Sequence, residues 1–95
     1  MSIKIKNVLV TGGAGFLGRH MVDALLNRGL RVRVLDNFMA SSRAEFKPYL
    51  KRVDFIEGDI RTLKDVKKAV SDMDAIFHFA AIRSVVRSIE DPLAA

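Results

Sequence analysis

The chain contains no cysteine, so neither a disulfide nor a thiolate metal site is open to it. Its two histidines, His20 and His78, stand far apart and lack ligand-like spacing. No apolar run approaches the roughly 20 residues of a membrane span. Nor does the N-terminus resemble an export signal. After Lys4 and Lys6 only Val8, Leu9 and Val10 precede a run of glycines, too short an apolar segment for a signal peptide. With no export signal and no cysteine, the expected compartment is the cytoplasm. With 95 residues the chain is one small domain at most. A domain of that size buries only about 60–65% of its unfolded surface, which implies modest stability.

The charge balance is +5, from 16 basic and 11 acidic residues. A basic balance raises nucleic-acid binding as a reading. The basic residues, however, are spread along the chain and alternate with acids, and no basic run is interleaved with aromatics. That pattern describes a solvated surface with some attraction for small anions, and it makes nucleic-acid binding unlikely.

The periodicity alternates between strand and helix. Lys4 to Thr11 predicts a strand whose continuous Val8-Leu9-Val10 run is that of a parallel strand buried on both faces. Phe16 to Arg28 carries Leu17, Met21, Val22, Leu25 and Leu26 at helical spacing, with Gly29 as the C-terminal cap. Leu30 to Leu35 alternates as a second strand, its arginines on the more exposed side. Residues 37–48 predict a loop with a short helical turn. Val53, Phe55 and Ile56 make a third strand ending at Gly58-Asp59. Thr62 and Asp65 form a capping-box-like start to a helix that buries Leu63, Val66 and Val70. Ala75 to Ala81 is an apolar fourth strand, and residues 84–95 open another helical stretch. Alternation of this kind predicts an α/β fold: a truncated Rossmann arrangement, a parallel sheet of about four strands in order 3-2-1-4 with helices on both faces and right-handed crossovers.

The turn Gly12-Gly13-Ala14-Gly15-Phe16-Leu17-Gly18 lies between the first strand and the first helix. Gly12 permits a tight turn, Gly15 lets a pyrophosphate approach the backbone, and Gly18 allows close helix packing. The free amides and dipole of the helix start attract phosphate. A glycine motif alone is weak, because a tight strand-to-helix turn needs no ligand. Here Asp36 ends the second strand roughly 20 residues on, where a carboxylate accepts hydrogen bonds from both ribose hydroxyls of an adenosine. The combination points to NAD. Asp36 would repel the 2′-phosphate of NADP, and Arg43 in the following loop is the one residue that softens this preference, unless it is simply a solvated loop arginine.

These residues resemble the extended short-chain dehydrogenase/reductases, and within them the NAD-dependent nucleoside-diphosphate-sugar epimerases and dehydratases. The glycine spacing is theirs, and four further stretches agree. They are Asp36-Asn37, Gly58-Asp59-Ile60-Arg61, His78-Phe79-Ala80-Ala81, and the segment from Ser84 to Pro92, the last most like UDP-hexose 4-epimerases. The resemblance covers essentially the whole chain. It implies that Gly12, Gly15, Phe16, Leu17 and Gly18 hold the pyrophosphate, and that Asp36 and Asn37 bind the ribose. It further implies that Asp59 accepts from the adenine amino group beside the Ile60 amide, and that Phe79, Ala80, Ala81 and Arg83 run along the cofactor. Capping its own turn is the alternative for Asp59, sheet core for Phe79 and solvent for Arg83. His78 reads as a satisfied strand histidine.

The family's chemistry uses a Tyr-x-x-x-Lys pair in which lysine and cofactor lower the tyrosine pKa. The one tyrosine, Tyr49, precedes the third strand, and Val53 stands where the lysine would be. The expectation is therefore an N-terminal part of the NAD-binding domain, residues 1–95, without the substrate domain, catalytically incomplete alone and binding sugar nucleotide only as part of a longer parent. Half of a split enzyme, or a regulatory protein with a relic site, are the alternatives left open. In the order 3-2-1-4 the fourth strand is an edge, and its Ile76, Phe77 and Phe79 predict pairing with a second copy of the chain.

Overall fold

The computed structural model describes residues 4–38 and 41–79. Four strands alternate with helices. They are β1 (Asn7–Thr11), α1 (Phe16–Asn27), β2 (Arg31–Asp36), α2 (Arg43–Phe46) running into a single 3-10 turn (Lys47–Tyr49), β3 (Asp54–Glu57), α3 (Leu63–Val70) and β4 (Ala75–His78). All strand pairs are parallel, in the order β3-β2-β1-β4. This is the expected Rossmann order, and the helical turn falls inside the expected loop. The helical stretch predicted over residues 84–95 lies outside the described residues.

Strand alternation sorts the core onto two faces. Val8, Val10, Val32 and Val34 point to one face and pack with Val22 and Leu25 of α1 and with Phe46 of α2. Leu9 and Leu35 point to the other, under Ala69 of α3, with Ile56, Ile60 and Met73 beside them. The apolar run of β1 is therefore buried on both sides, as its composition predicts. The C-terminus of α1 closes in a Schellman motif. Gly29 takes φ +80°, its amide donates to the Leu26 carbonyl, and the Leu30 amide donates to the Leu25 carbonyl.

Two expectations need correction. The arginines of β2 do not share one environment. Arg31 is exposed, whereas Arg33 lies half-buried under α3. Its guanidinium donates to the carbonyls of Ala69 (2.9 Å) and Ser71 (2.8 Å) and to Asp54 (2.7 Å). A cation at the carbonyl end of a helix meets both the unpaired acceptors and the negative end of the dipole. The second correction concerns the start of α3. Thr62 is the N-cap but makes no side-chain bond. Asp65 reaches past it to accept from the Asp59 amide at 2.9 Å, and the Thr62 amide donates to the Asp59 carbonyl. Asp65 and Arg33 between them fix how α3 is rotated on the sheet, and the buried stripe shifts. Ala69 is fully buried and Val66 partly so, while Leu63 stands 67% exposed and Val70 is exposed too. β4 is an edge among the described strands, as expected. Phe77 and Phe79 pack against the larger core, and Ile76, on the α3 face, is 40% exposed.

Candidate functional site

The glycine-rich turn is held from below and open above. Gly12 leaves β1 with φ +72°, a conformation that disfavours a side chain, and its amide donates to the Leu35 carbonyl at 2.8 Å. Gly13 rests on Val34, so a Cβ there would lie 2.7 Å from the valine Cγ1. A Cβ at Gly18 would lie 2.7 Å from the Gly13 Cα, so this glycine does allow close packing, though against the turn itself and not the strand. Gly15 differs, since a Cβ there would meet only the Gly12 carbonyl oxygen, at 3.5 Å. It therefore marks the open side of the turn. It is also the N-cap of α1, without a side chain to satisfy the first amides, and the first turn carries no acid. Those amides and the positive end of the dipole are what a pyrophosphate needs.

Asp36 latches this turn. Its carboxyl group is nearly buried, and Oδ2 accepts from the Ala14 amide at 3.0 Å, across from β2 into the middle of the glycine motif. Oδ1 accepts from the Phe38 amide at 2.7 Å and, more weakly, from the Ser41 hydroxyl at 3.4 Å. A carboxylate offers about four acceptor positions. One stays open, and the long Ser41 bond is readily exchanged, so a ribose diol fits the remaining capacity. Phe38 reaches this geometry at φ +61°, an uncommon backbone angle for an aromatic residue.

The carboxyl ends of β1, β2 and β3 frame a small open cleft lined by Gly12, Leu35, Asp36, Asn37, Gly58, Asp59 and Ile60. Five of the residues singled out in the sequence, Gly12, Asp36, Asn37, Asp59 and Ile60, thus meet in one place. Ligands of open parallel sheets bind at this end of the strands. Asn37 spans the cleft, its Nδ2 donating to Asp59 Oδ2 at 3.2 Å. Asp59 also caps its own turn, accepting from the Arg61 amide at 2.8 Å and from the Arg61 guanidinium. That guanidinium, the Arg61 amide and the Asn37 amide hold its carboxyl well below the usual carboxylate range. It is an anion with a fixed direction.

The other expected residues fall outside the cleft. Phe16 and Leu17 open α1 on the exposed side of the turn, with Phe16 edge-on to His20. Phe79 follows β4, where its amide donates to the Thr11 carbonyl and its ring joins the larger core. Ala80, Ala81 and Arg83 lie outside the described residues. His78 Nδ1 lies 3.2 Å from the Thr11 hydroxyl, the satisfied arrangement expected of it. Tyr49 donates to Asp23 at 2.9 Å, and partial burial together with that bond raises its pKa. It is a tie between the 3-10 turn and α1, and it is the opposite of an activated base. Arg43 is neither free nor aimed at the ribose position, because Glu57 holds it in a two-pronged ion pair and it stacks 4.4 Å over the Phe38 ring.

The structure adds residues that the motif alone did not single out. Ala14 and Ser41 complete the latch on Asp36, Gly13 seats the turn on Val34, and Gly58 lies so close to α3 that a Cβ would stand 2.8 Å from Asp65 Oδ2. Arg19 binds the Ala14 carbonyl and Glu45, fastening the turn to α2. The small side chains at 13, 14 and 58 were visible signals, but their partners are distant in sequence. Among the described residues there is no cluster of His, Asp or Glu able to hold a metal ion, and no helix is long and apolar enough to cross a membrane.

Comparison with known proteins agrees with this geometry. Residues 8–95 match the profile of the NAD dependent epimerase/dehydratase family. UDP-glucose 4-epimerase of Neisseria meningitidis is 36% identical over 94% of this chain, and the chain spans 28% of that protein's length. Among solved structures, the UDP-glucose 4-epimerase of Thermus thermophilus in complex with NAD is 44% identical, with a TM-score of 0.72, over 92% of this chain and 28% of that one. The UDP-Glc/GlcNAc 4-epimerase of Campylobacter jejuni has a TM-score of 0.77 at 33% identity, over 93% of this chain and 28% of that one. Glycine turn, ribose-side carboxylate, strand order and sequence similarity agree, and the chain belongs to the NAD-dependent epimerase/dehydratase family.

Proposed function

We propose that this chain forms the adenosine and pyrophosphate half of an NAD site, and that in a protein of its relatives' length this half-site serves the isomerisation of a UDP-sugar. The observation that carries the reading is the bond from the Ala14 amide to Asp36 Oδ2. It welds the phosphate-binding turn to the ribose-binding carboxylate and places both at the mouth of one cleft with Asp59 and Ile60. Gly15 and the first amides of α1 would face the pyrophosphate. Asp36 would take the ribose hydroxyls, and Asp59 the amino edge of adenine. When bound, NAD supplies the hydride acceptor for oxidation at the sugar C4. The residues described in this chain bind and orient, and none of them is set up as the proton-transferring base.

Two features favour NAD over NADP. Asp36 would take the ribose hydroxyls, and a 2′-phosphate there would meet its carboxylate. Arg43, the cation of the following loop, is committed to Glu57. Calorimetric titration of the chain with each dinucleotide tests this. Saturable NAD binding, with NADP weaker by about tenfold or more, is expected. Equal or tighter binding of NADP contradicts it.

A further inference from the structure

We propose that Arg61 sets the base selectivity of the cleft, by holding the Asp59 carboxylate in the one orientation that accepts an exocyclic amino group. The inference rests on the NAD reading above and assigns a residue to it. Asp59 lies two residues past β3, in a turn where an unrestrained carboxyl group would rotate freely. Here Arg61 engages both of its oxygens. Arg61 Nε lies 3.0 Å from Oδ1 and 3.1 Å from Oδ2, Nη2 lies 2.6 Å from Oδ2, and the Arg61 amide lies 2.8 Å from Oδ1. A planar guanidinium gripping both oxygens fixes the plane of the carboxylate, which a lysine point charge does not. The backbone of the same turn is pinned separately, by Asp65 on the Asp59 amide.

Each of these contacts to the carboxylate is a donor, so the group that faces the cleft is an acceptor only. A base edge that presents an amino group finds a partner there, and one that presents a carbonyl oxygen finds repulsion. Asn37 shows that the direction is usable. Its carboxamide Nδ2 reaches Oδ2 at 3.2 Å, so an NH2 donor is accommodated on that oxygen, in a place that the adenine amino group would take over from Asn37. Arg61 is itself mostly exposed and need not touch the base. It is a positioning residue, acting through Asp59, and it makes the selectivity by preorganisation.

The test compares NAD with nicotinamide hypoxanthine dinucleotide, in which a carbonyl oxygen replaces the adenine amino group. Calorimetry on the unaltered chain should show NAD preferred by about tenfold or more. Arg61→Ala should cut that preference to below about threefold, mainly by weakening NAD, and Arg61→Lys should restore only part of it. Circular dichroism reports whether each variant is folded. Should Arg61→Ala not fold, the unaltered chain and Arg61→Lys decide the matter between them. Arg61→Ala weakening both dinucleotides equally would mean a role in turn stability alone and would overturn the inference. So would an unaltered chain that binds both equally, although the NAD reading would then survive. A folded chain that binds neither removes the NAD reading, and the inference with it.

Discussion

On the α1 face of the sheet, Val8, Val10, Val22, Val32, Val34 and Phe46 are all essentially buried, and a cluster of aromatic rings closes around Phe46. On the α3 face, among the described residues, the apolar side chains buried to that degree are Leu9, Leu35 and Ala69, and Leu63, Val70 and Ile76 stand exposed. The glycine turn rests on the first face, because Gly13 touches Val34 and Arg19 ties Ala14 to α2 through Glu45. The Asp59 turn belongs to the second face. It is held there by polar bonds from Asp65, Arg61 and Asn37 more than by packing. The wall of the cleft formed by the glycine turn and Asp36 is thus backed by a close-packed core, which transmits strain. The Asp59 wall is held by hydrogen bonds, each worth about 1 kcal/mol.

That contrast breaks most directly at Phe46. Phe46→Ala removes the largest fully buried side chain and should cost about 3–5 kcal/mol, a large share of what a small domain has. Leu63→Ala on α3 should stay within about 0.5 kcal/mol. Urea denaturation of both measures the difference, and similar losses would mean that the two faces are equally packed.

A smaller effect links the core to the site. Gly13→Ala drives a methyl group against Val34 and should cost about 1–3 kcal/mol by overpacking. Val34→Ala alone opens a cavity, but combined with Gly13→Ala it should return part of the loss as a favourable coupling. Strict additivity in that cycle would show that the turn does not rest on the core.

The smallest effect is one of pH, at the far end of the sheet. Asp74 accepts from the Asn7 and Lys6 amides, and these bonds lower its pKa. A depressed carboxyl pKa stabilises the fold above the ordinary value near 4, and the gain is lost as pH falls below it. The melting temperature should therefore fall more steeply below about pH 4 in the unaltered chain than in Asp74→Asn. Parallel curves would show that the bonds add nothing.

The sheet order and the cleft were legible in the sequence, because they follow from short-range signals. Those signals are the Val8-Leu9-Val10 run, the glycine spacing, Asp36 at a strand end and Gly58-Asp59 at another. What the sequence hid depends on contacts between distant residues. Helical spacing offered Leu63, Val66 and Val70 as the buried stripe of α3, but a stripe does not say how a helix is rotated. Asp65 on the Asp59 amide and Arg33 on the last carbonyls decide that, and they favour Val66 and Ala69. Arg33 looked solvent-facing because strand alternation reports which face a residue is on and not what covers it. The latch from Asp36 to Ala14 was hidden for a like reason, since the motif implies a ligand for the carboxylate and says nothing of its partner within the protein. Ala80, Ala81 and Arg83, expected along the cofactor, lie outside the described residues.

The central claim is that the adenosine half of an NAD site is built into this chain, and comparison of the cofactor with its two halves tests it most directly. Calorimetry should show ADP-ribose binding within about threefold of NAD and nicotinamide mononucleotide not binding measurably, because the proposed contacts all serve the adenosine and the phosphates. Tight binding of nicotinamide mononucleotide, or NAD binding that ADP-ribose cannot displace, would contradict the account.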